Sequence, residues 1–96
     1  MSKNNPPHPG EFIREVYLEP FVLSARALAK CLDVAPSTLN RVITGKSGIS
    51  PDMALRLSKS VGRTAESWLE MQAQYDLWQA RQTSDLDQVQ RIDFAT

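Results

Sequence analysis

The stretch LAKCLDVAPSTLNRVITGK, residues 28–46, determines the fold of this 96-residue chain. Ser24 provides an N-cap before it, and residues 25–32 have the apolar spacing of a short helix. Pro36 suits the first position of a second short helix, where its missing amide is no loss. Asp33 lies where the chain must turn sharply, and its side chain tolerates left-handed dihedrals. Two short helices separated by a tight turn predict a helix-turn-helix.

Helical spacing recurs on both sides of this stretch. Residues 11–18 predict a helix that stops at Pro20, because proline cannot donate to the helical ladder. Its expected apolar face consists of Phe12, Ile13, Val16 and Tyr17. Ser50 and Thr64 have the features of N-caps for two more helices, and the last of these fades after Arg81. We therefore predict an all-α domain of five helices.

The two ends of the chain differ from this helical body. Residues 1–8 are rich in asparagine and proline and predict a flexible arm, which places the folded domain at residues 9–82. Residues 83–96 form a C-terminal tail with apolar residues spaced by three, at Leu86, Val89 and Ile92. This spacing weakly favours a helix, but a short strand or an extended tail fits it nearly as well.

Charge is unevenly distributed along a chain whose net charge is zero. Residues 24–47 carry four basic residues against one aspartate, a net charge of +3, and residues 48–63 add +2. Residues 64–96 carry two arginines against six acidic residues, a net charge of −4. A basic middle and an acidic end indicate two surfaces with different partners, although ordinary solvated faces produce the same pattern.

Composition disfavours several classes of protein. Hydrophobic residues make up 42% and charged residues 23%, which is typical of a soluble globular domain, and no apolar run is long enough to span a membrane. The single cysteine, Cys31, cannot form an internal disulfide, which fits the cytoplasm. One cysteine and one histidine, His8, do not make a zinc site, and no nucleophile–base pair can be assembled. We therefore predict neither an enzyme nor a bound cofactor or metal.

The polar outer face of the second helix of the helix-turn-helix suits the reading of double-stranded DNA. Arginine bonds guanine bidentately, asparagine bonds adenine, and Ser and Thr hydroxyls reach several base edges. We expect base contacts from Ser37, Thr38, Asn40 and Arg41. Phosphate contacts, which hold register, are expected from Ser24, Arg26, Lys30 and Lys46. Plain surface helices are also polar, but the local charge of +3 and the capped helix-turn-helix pattern favour DNA binding.

Aromatic residues on the last helix predict a second surface. A domain of this size has too small a core to bury all three of the large aromatic side chains Trp68, Tyr75 and Trp78. One interpretation packs Trp68 inside and leaves the other two at the surface. We favour a homodimer interface formed by Trp68, Tyr75 and Trp78, because aromatic residues are enriched at interfaces and a twofold protein matches the two half-sites that such motifs read. Phe12 is a candidate for the same face.

Several motifs of the chain resemble one family. Residues 28–46 are similar to the helix-turn-helix of lambda-repressor-like proteins of the XRE family. The wider pattern consists of HPGE at residues 8–11, YLEP at 17–20, ISPDMALRLS at 49–58, and WLEMQ at 68–72 with YDL at 75–77. Together these motifs resemble the HigA-type antitoxins of bacterial toxin–antitoxin modules, over residues 8 to about 82.

The resemblance implies a five-helix lambda-repressor-like fold and assigns roles to particular positions. Base contacts are implied at Pro36, Ser37, Asn40 and Arg41, and phosphate contacts near Ser24, Arg26, Thr44 and Lys46. Pro36 departs from the polar residue that repressors often place at its position. The resemblance also implies a homodimer that represses its own operon and neutralises a small, basic ribonuclease toxin.

Three hypotheses from different functional classes are compared. The first is a sequence-specific DNA-binding repressor that acts as an antitoxin. The second is a pure protein-interaction module, an antitoxin or adaptor whose helix-turn-helix binds only a protein. A stand-alone helix-turn-helix regulator, or an interaction module, without a toxin partner is the alternative to the antitoxin function. The third is a small enzyme, which is disfavoured because the chain offers no nucleophile–base pair and no metal set.

Overall fold

The computed structural model describes residues 5–95, and five α-helices account for most of that range. α1 spans Pro9–Ile13 and continues into a π-helical turn at Arg14–Leu18; α2 spans Ala25–Leu32, α3 Pro36–Ile43, α4 Pro51–Ser60 and α5 Ala65–Thr83. The predicted all-α, five-helix fold is confirmed, and residues 5–95 contain no strand. Across the same range, every helix is too short or too polar to cross a bilayer.

Three helices begin at the side-chain caps that the sequence predicts. The hydroxyl oxygens of Ser24, Ser50 and Thr64 each accept a hydrogen bond from the amide three residues ahead, at 3.0, 3.1 and 3.0 Å. Each cap residue has extended backbone dihedrals. These bonds satisfy amides that have no partner within the helix, and each such cap stabilises its helix by about 1 kcal/mol.

The turn between α2 and α3 has a left-handed residue, as predicted. Asp33 has φ 58° and ψ 48° and forms the C-cap of α2. Arg56 of α4 reaches this turn, and its Nη1 donates to the backbone carbonyls of Leu32 and Asp33 at 2.8 and 2.9 Å. The Nε of Arg56 also donates to Asp52 at 2.7 Å, which orients the guanidinium. α4 therefore fixes the end of α2 from which α3 departs.

The core is a single apolar cluster with Trp68 at the start of α5. Its indole is fully buried, and its Nε1 donates to the Gly62 carbonyl at 3.0 Å. The rings of Phe12 and Tyr17 lie 5.8 and 6.2 Å from it between centroids. The buried apolar members are Ile13, Leu18, Leu28, Ala29, Leu32, Leu39, Val42, Ile49, Met53, Ala54, Leu57 and Trp68.

The π-helical turn changes which residue of the first helical segment faces the core. Val16 was predicted to lie inward, but it is 38% exposed, and Leu18 is buried instead. In a π turn the amide bonds the carbonyl five residues back, and here the Glu19 amide donates to the Arg14 carbonyl at 2.9 Å. The wider turn moves the next inward position to Leu18, five residues after Ile13. The prediction for Val16 is therefore wrong.

His8 belongs to the folded domain and not to an N-terminal arm. Its ring is buried, and Nδ1 accepts a hydrogen bond from the Gly10 amide at 2.9 Å, which makes His8 the N-cap of α1. The ring also packs edge-on against Tyr75, 4.9 Å away between centroids. The predicted arm over residues 1–8 is wrong at His8, and residues 1–4 lie outside the described range.

Acid is expected to weaken the fold through His8. Burial lowers the pKa of its imidazole below the ordinary 6.5, against opposing effects of Asp76, the Ser47 backbone and Glu11. The fold therefore favours the neutral ring, and protonation at Nδ1 would remove the acceptor that caps α1. The stability that depends on the neutral ring is present above about pH 6.5 and is lost as the pH falls through the lower pKa of the folded state.

Urea denaturation at neutral pH and at about pH 5 measures this loss. His8→Asn is the matched control, because asparagine caps a helix but does not titrate. We expect the free energy of unfolding to fall further on acidification in the parent than in this variant. Equal losses in the two proteins would contradict the role given to His8.

The C-terminal tail continues beyond α5 without regular structure. Residues 84–95 are exposed, and a single turn at residues 87–88 is closed by the Val89 amide, which donates to the Leu86 carbonyl at 3.0 Å. Of the three possibilities that the sequence leaves open, the extended tail is the one observed. The tail carries apolar side chains that lie outside the core.

Candidate DNA-binding surface

α3 turns an apolar face to the core and a polar face to solvent. Leu39 and Val42 are buried and hold the helix against the body of the domain. The four side chains predicted to contact bases are all exposed: Ser37, Thr38, Asn40 and Arg41. Within residues 5–95, none of these four side chains has a hydrogen-bond partner, so their donors and acceptors are available to a ligand.

The first turn of α3 is open as well. Pro36 occupies the first helical position, and the N-cap residue Ala35 has no side chain that could bond the free amides. Pro36 is exposed, but a proline ring offers no hydrogen-bond donor. Pro36 has no amide hydrogen, so it cannot donate a hydrogen bond to DNA. It can make an apolar contact, and an unbonded amide next to it in the first turn of α3 is available to a phosphate.

The candidate phosphate-binding residues of α2 lie beside this open end of α3. A groove at the junction of the two helices is lined by Ser24, Arg26, Ala27, Lys30, Asp33, Val34 and Pro36. Arg26 and Lys30 are exposed. The Ser24 oxygen accepts the Ala27 amide as a cap, but its hydroxyl hydrogen remains available to a phosphate oxygen. The structure thus brings three of the predicted residues together next to α3.

The other two candidates follow α3. Lys46 is exposed, directly after Gly45, which has the predicted left-handed φ of 80°. The Thr44 hydroxyl donates to the Asn40 carbonyl at 2.8 Å, so its hydrogen is already engaged within the helix. Lys46 is therefore free to reach a phosphate, whereas Thr44 would have to exchange an existing bond.

α3 is held in place by three residues that the sequence analysis did not identify. Gly10 lies against the α3 backbone so closely that an added Cβ would be 1.9 Å from the Val42 carbonyl oxygen. Gln72 of α5 accepts the Ile49 amide at 2.8 Å and so fixes the segment that follows α3. Arg56 fixes the turn before α3. Only Gly10 leaves a signal in the sequence, because a glycine within a helix indicates close backbone approach.

The aromatic residues of α5 divide into two groups. Trp68 is 0% exposed in the core of its own chain and has no surface to offer a partner, so its predicted place in a dimer interface is wrong. Tyr75 and Trp78 are half-buried, with ring centroids 6.4 Å apart. The Phe12 ring packs on Trp68, and the Arg63 guanidinium lies over the Phe12 ring, 5.1 Å from its centroid. Tyr75 and Trp78 remain as candidates for a dimer interface.

Known proteins share this arrangement. The helix-turn-helix family matches residues 17–69. Antitoxin GraA is 42% identical, with a TM-score of 0.86 over 92% of this chain and 98% of that chain. Antitoxin HigA of Pseudomonas aeruginosa, solved with the higBA promoter, is 38% identical, with a TM-score of 0.77 over 81% of this chain and 85% of that one. The chain belongs to the HigA-type antitoxin family.

This family is one of helix-turn-helix regulators and antitoxins. Sequence similarity extends to Virulence-associated protein I of Dichelobacter nodosus, which is 52% identical over 82 residues, or 83% of this chain and 76% of the relative. The resemblance that the motifs indicate is thereby confirmed at the level of the HigA family. The helix-turn-helix match covers α2, α3, α4 and the start of α5.

Proposed function

We propose that this protein is a sequence-specific DNA-binding repressor that acts in the cytoplasm as the antitoxin of a type II toxin–antitoxin system. It binds the operator of its own operon and neutralises a small ribonuclease toxin. The observation that carries the proposal is the free polar face of α3, where Ser37, Thr38, Asn40 and Arg41 have no partner within residues 5–95. The family supports it, since one solved relative is a HigA antitoxin with the higBA promoter.

The exposed side chains divide into base-reading and phosphate-binding groups. Arg41 and Asn40 have the donors and acceptors for bidentate bonds to guanine and adenine, and Ser37 and Thr38 add hydroxyls. The groove that Ser24, Arg26 and Lys30 line supplies phosphate contacts on one side of α3, and Lys46 supplies one beyond its end. Thr44 contributes less, because its hydroxyl hydrogen is engaged in the helix.

Arg41→Ala is expected to cost about 1–3 kcal/mol of operator affinity and to relax the preference at one base pair. The physical reason is the loss of a bidentate base contact, since the Arg41 side chain makes no bond that stabilises the fold within residues 5–95. Fluorescence anisotropy against the operator and its single-base variants measures both effects. If the variant ranks all operator variants as the parent does, Arg41 does not read a base.

Lys46→Ala is the matched control for this measurement. A lysine that binds a phosphate supports specific and random DNA alike, so both affinities should fall together and the salt slope should drop by about 0.9. A changed sequence preference in this variant would contradict the assignment of Lys46 to the backbone.

A homodimer formed through Tyr75 and Trp78 completes the proposal, because two copies of α3 are needed to read a twofold operator. Trp78→Ala is expected to shift the assembly toward monomer, since tryptophan contributes strongly to interfaces. Light scattering at tens of micromolar protein measures the mass. Phe21→Ala is the control, because Phe21 is a 72% exposed aromatic residue outside α5. A monomeric parent would contradict the dimer.

The alternative function is a regulator or protein-interaction module without a toxin. Two observations separate the possibilities. DNA binding through several phosphates weakens steeply with salt, with log K falling by about 0.9 per neutralised phosphate. When the purified protein is used to select bound fragments of genomic DNA, a pure protein-interaction module should select none. A short, strongly basic protein encoded next to this gene that forms a complex with the purified chain would support the antitoxin function over a stand-alone regulator.

A further inference from the structure

The turn between the π-helical segment and α2 carries two adjacent, strongly exposed apolar side chains. Phe21 is 72% exposed and Val22 is 92% exposed. Within residues 8–83, no other large apolar side chain is as exposed as these two. Single apolar residues on a surface are ordinary, but an aromatic and a β-branched side chain next to each other form a candidate contact for another molecule.

This turn is closed by the two hydrogen bonds of a Schellman motif, which places one residue in the left-handed conformation. The amide of Val22, whose φ is 51°, donates to the Glu19 carbonyl at 3.2 Å, and the next amide donates to the Leu18 carbonyl at 2.8 Å. The same pair of bonds ends α2 at Asp33 and α3 at Gly45. Glycine adopts the left-handed region freely and aspartate tolerates it, whereas a β-branched side chain is strained there.

The fold alone does not account for a valine at this position. Because Val22 is 92% exposed, its methyl groups contact little of their own chain, and apolar burial within the chain does not offset the strain. Glycine would close the same turn without strain. A strained residue that its own chain does not use indicates a function outside the chain. The side chains of Phe21 and Val22 are therefore available to a binding partner.

The segment that leads into this turn is acidic. Residues 11–22 contain three glutamates and one arginine, a net charge of −2. The guanidinium nitrogens of Arg14 lie 2.9 Å from a carboxylate oxygen of Glu19 and 3.6 Å from one of Glu15, and all three side chains are at least 43% exposed. This charge repels DNA phosphates, and a second copy seated here would bring the same carboxylates face to face. A basic protein is the partner that fits.

We propose that the Phe21–Val22 turn is the docking site for a basic protein. The Phe21 ring and the Val22 methyl groups enter an apolar pocket of that partner, and Glu15 and Glu19 face the basic rim of the pocket. An apolar anchor inside a ring of complementary charge is the usual plan of a strong interface. The inference rests on the proposed antitoxin function, under which this partner is the toxin, and it places the docking site outside the exposed face of α3.

The test uses the whole 96-residue chain and the purified basic protein encoded next to its gene, with the affinity measured by titration calorimetry. Phe21→Ser should weaken the complex by about thirtyfold, the loss expected of an aromatic side chain at the centre of an interface. Leu55→Ser is the matched control, because Leu55 is 63% exposed on α4, and this variant should bind as the parent does. Both variants should keep the parent's assembly mass and operator affinity.

Substitutions at Val22 separate a role in binding from a role in the fold. Val22→Gly should raise the urea midpoint of unfolding, because it relieves the left-handed strain. The same variant should weaken the complex by about tenfold, because it removes an apolar side chain from the interface. Val22→Ile keeps the branched side chain and should bind as the parent does. A lower urea midpoint in Val22→Gly would contradict the strain on which the proposal depends.

Charge reversal tests the acidic side of the docking site. Glu15→Lys should slow association with the basic protein by about fivefold at low salt and flatten the salt dependence of the rate. Glu70→Lys makes the same change of net charge on α5 and should do neither. Stopped-flow fluorescence measures the association rates, and equal rates for the two variants would contradict the charge contact.

The outcomes separate the docking site from the function on which it rests. A neighbouring basic protein that binds the parent, Phe21→Ser and Val22→Gly equally well would overturn the docking site and leave the antitoxin function intact. The absence of such a protein, or its failure to bind the parent, would overturn both. A changed assembly mass in Phe21→Ser would assign the turn to a contact between copies, and a loss of operator affinity would assign it to DNA; either result overturns the proposal.

Discussion

Gly10→Ala is expected to destabilise the fold by about 3 kcal/mol or more, the upper end of what overpacking costs. In most helices this substitution is stabilising by about 0.5–1 kcal/mol, because alanine restricts the unfolded chain. Here the added Cβ would lie 1.9 Å from the Val42 carbonyl oxygen and 2.8 Å from the Ile43 Cα. Both are backbone atoms of α3, so no side-chain rotation can relieve the clash. The two helices must separate.

The urea midpoint of unfolding measures the loss, and operator affinity at low urea measures the displacement of α3. Gly48→Ala is the comparison variant, because its Cβ would meet the end of the Gln72 side chain at 2.9 Å and no backbone atom. Movement of that side chain relieves the clash and costs at most its bond from the Ile49 amide, so a smaller loss is expected. A Gly10→Ala protein as stable as the Gly48→Ala protein would show that α1 and α3 do not approach as closely as described.

Trp68→Ala is expected to cost about 3–5 kcal/mol, the range for removing a large buried aromatic side chain. The indole is fully buried, packs against Phe12 and Tyr17, and carries a hydrogen bond to the Gly62 carbonyl. The free energy of unfolding of a domain is about 5–15 kcal/mol, so this variant loses a large part of its stability and should unfold at a clearly lower temperature than the parent. Circular dichroism followed through a thermal transition measures the shift.

Trp78→Ala makes the same chemical change on the same helix at a half-buried position, and it should cost the folded monomer much less. Trp68→Phe keeps most of the volume and removes the bond to Gly62, so an intermediate loss is expected. The order Trp68→Ala, Trp68→Phe, Trp78→Ala in decreasing effect follows from burial. The comparison is made at a protein concentration at which the parent is monomeric, because loss of the proposed dimer contact at Trp78 would otherwise add to the effect. Under that condition, a larger effect at position 78 than at position 68 would mean that the core has been placed wrongly.

Much of the fold could be predicted because local signals agreed with the tertiary structure. Ser24, Ser50 and Thr64 are caps in the sequence and in the structure. The left-handed conformations at Asp33 and Gly45 were also predicted, because aspartate tolerates that region and glycine adopts it freely. The face of α3 followed from helical periodicity, which places Leu39 and Val42 opposite the polar residues.

The features that could not be predicted depend on contacts between distant parts of the chain. Val22 has a φ of 51°, which a β-branched residue rarely adopts, so nothing in its local sequence indicates it. The π-helical turn, because of which Leu18 and not Val16 faces the core, is not marked by any characteristic residue type in the sequence. Gln72 reaches the Ile49 amide across 23 positions, and Arg56 reaches Leu32 across 24. The periodicity of apolar residues describes one helix at a time, so it does not predict hydrogen bonds between residues that are far apart in the sequence.

Net neutrality conceals a separation of charge within each molecule. Positive residues crowd the α2–α3 side at Arg26, Lys30, Arg41 and Lys46, while the tail holds three aspartates and one arginine. The molecule is therefore a dipole, and the field of a polyanion applies a torque to it before any contact is made. Under the proposed function, this torque turns the α2–α3 side toward the double helix before the protein arrives there. Added electrolyte should slow this arrival because it screens the torque.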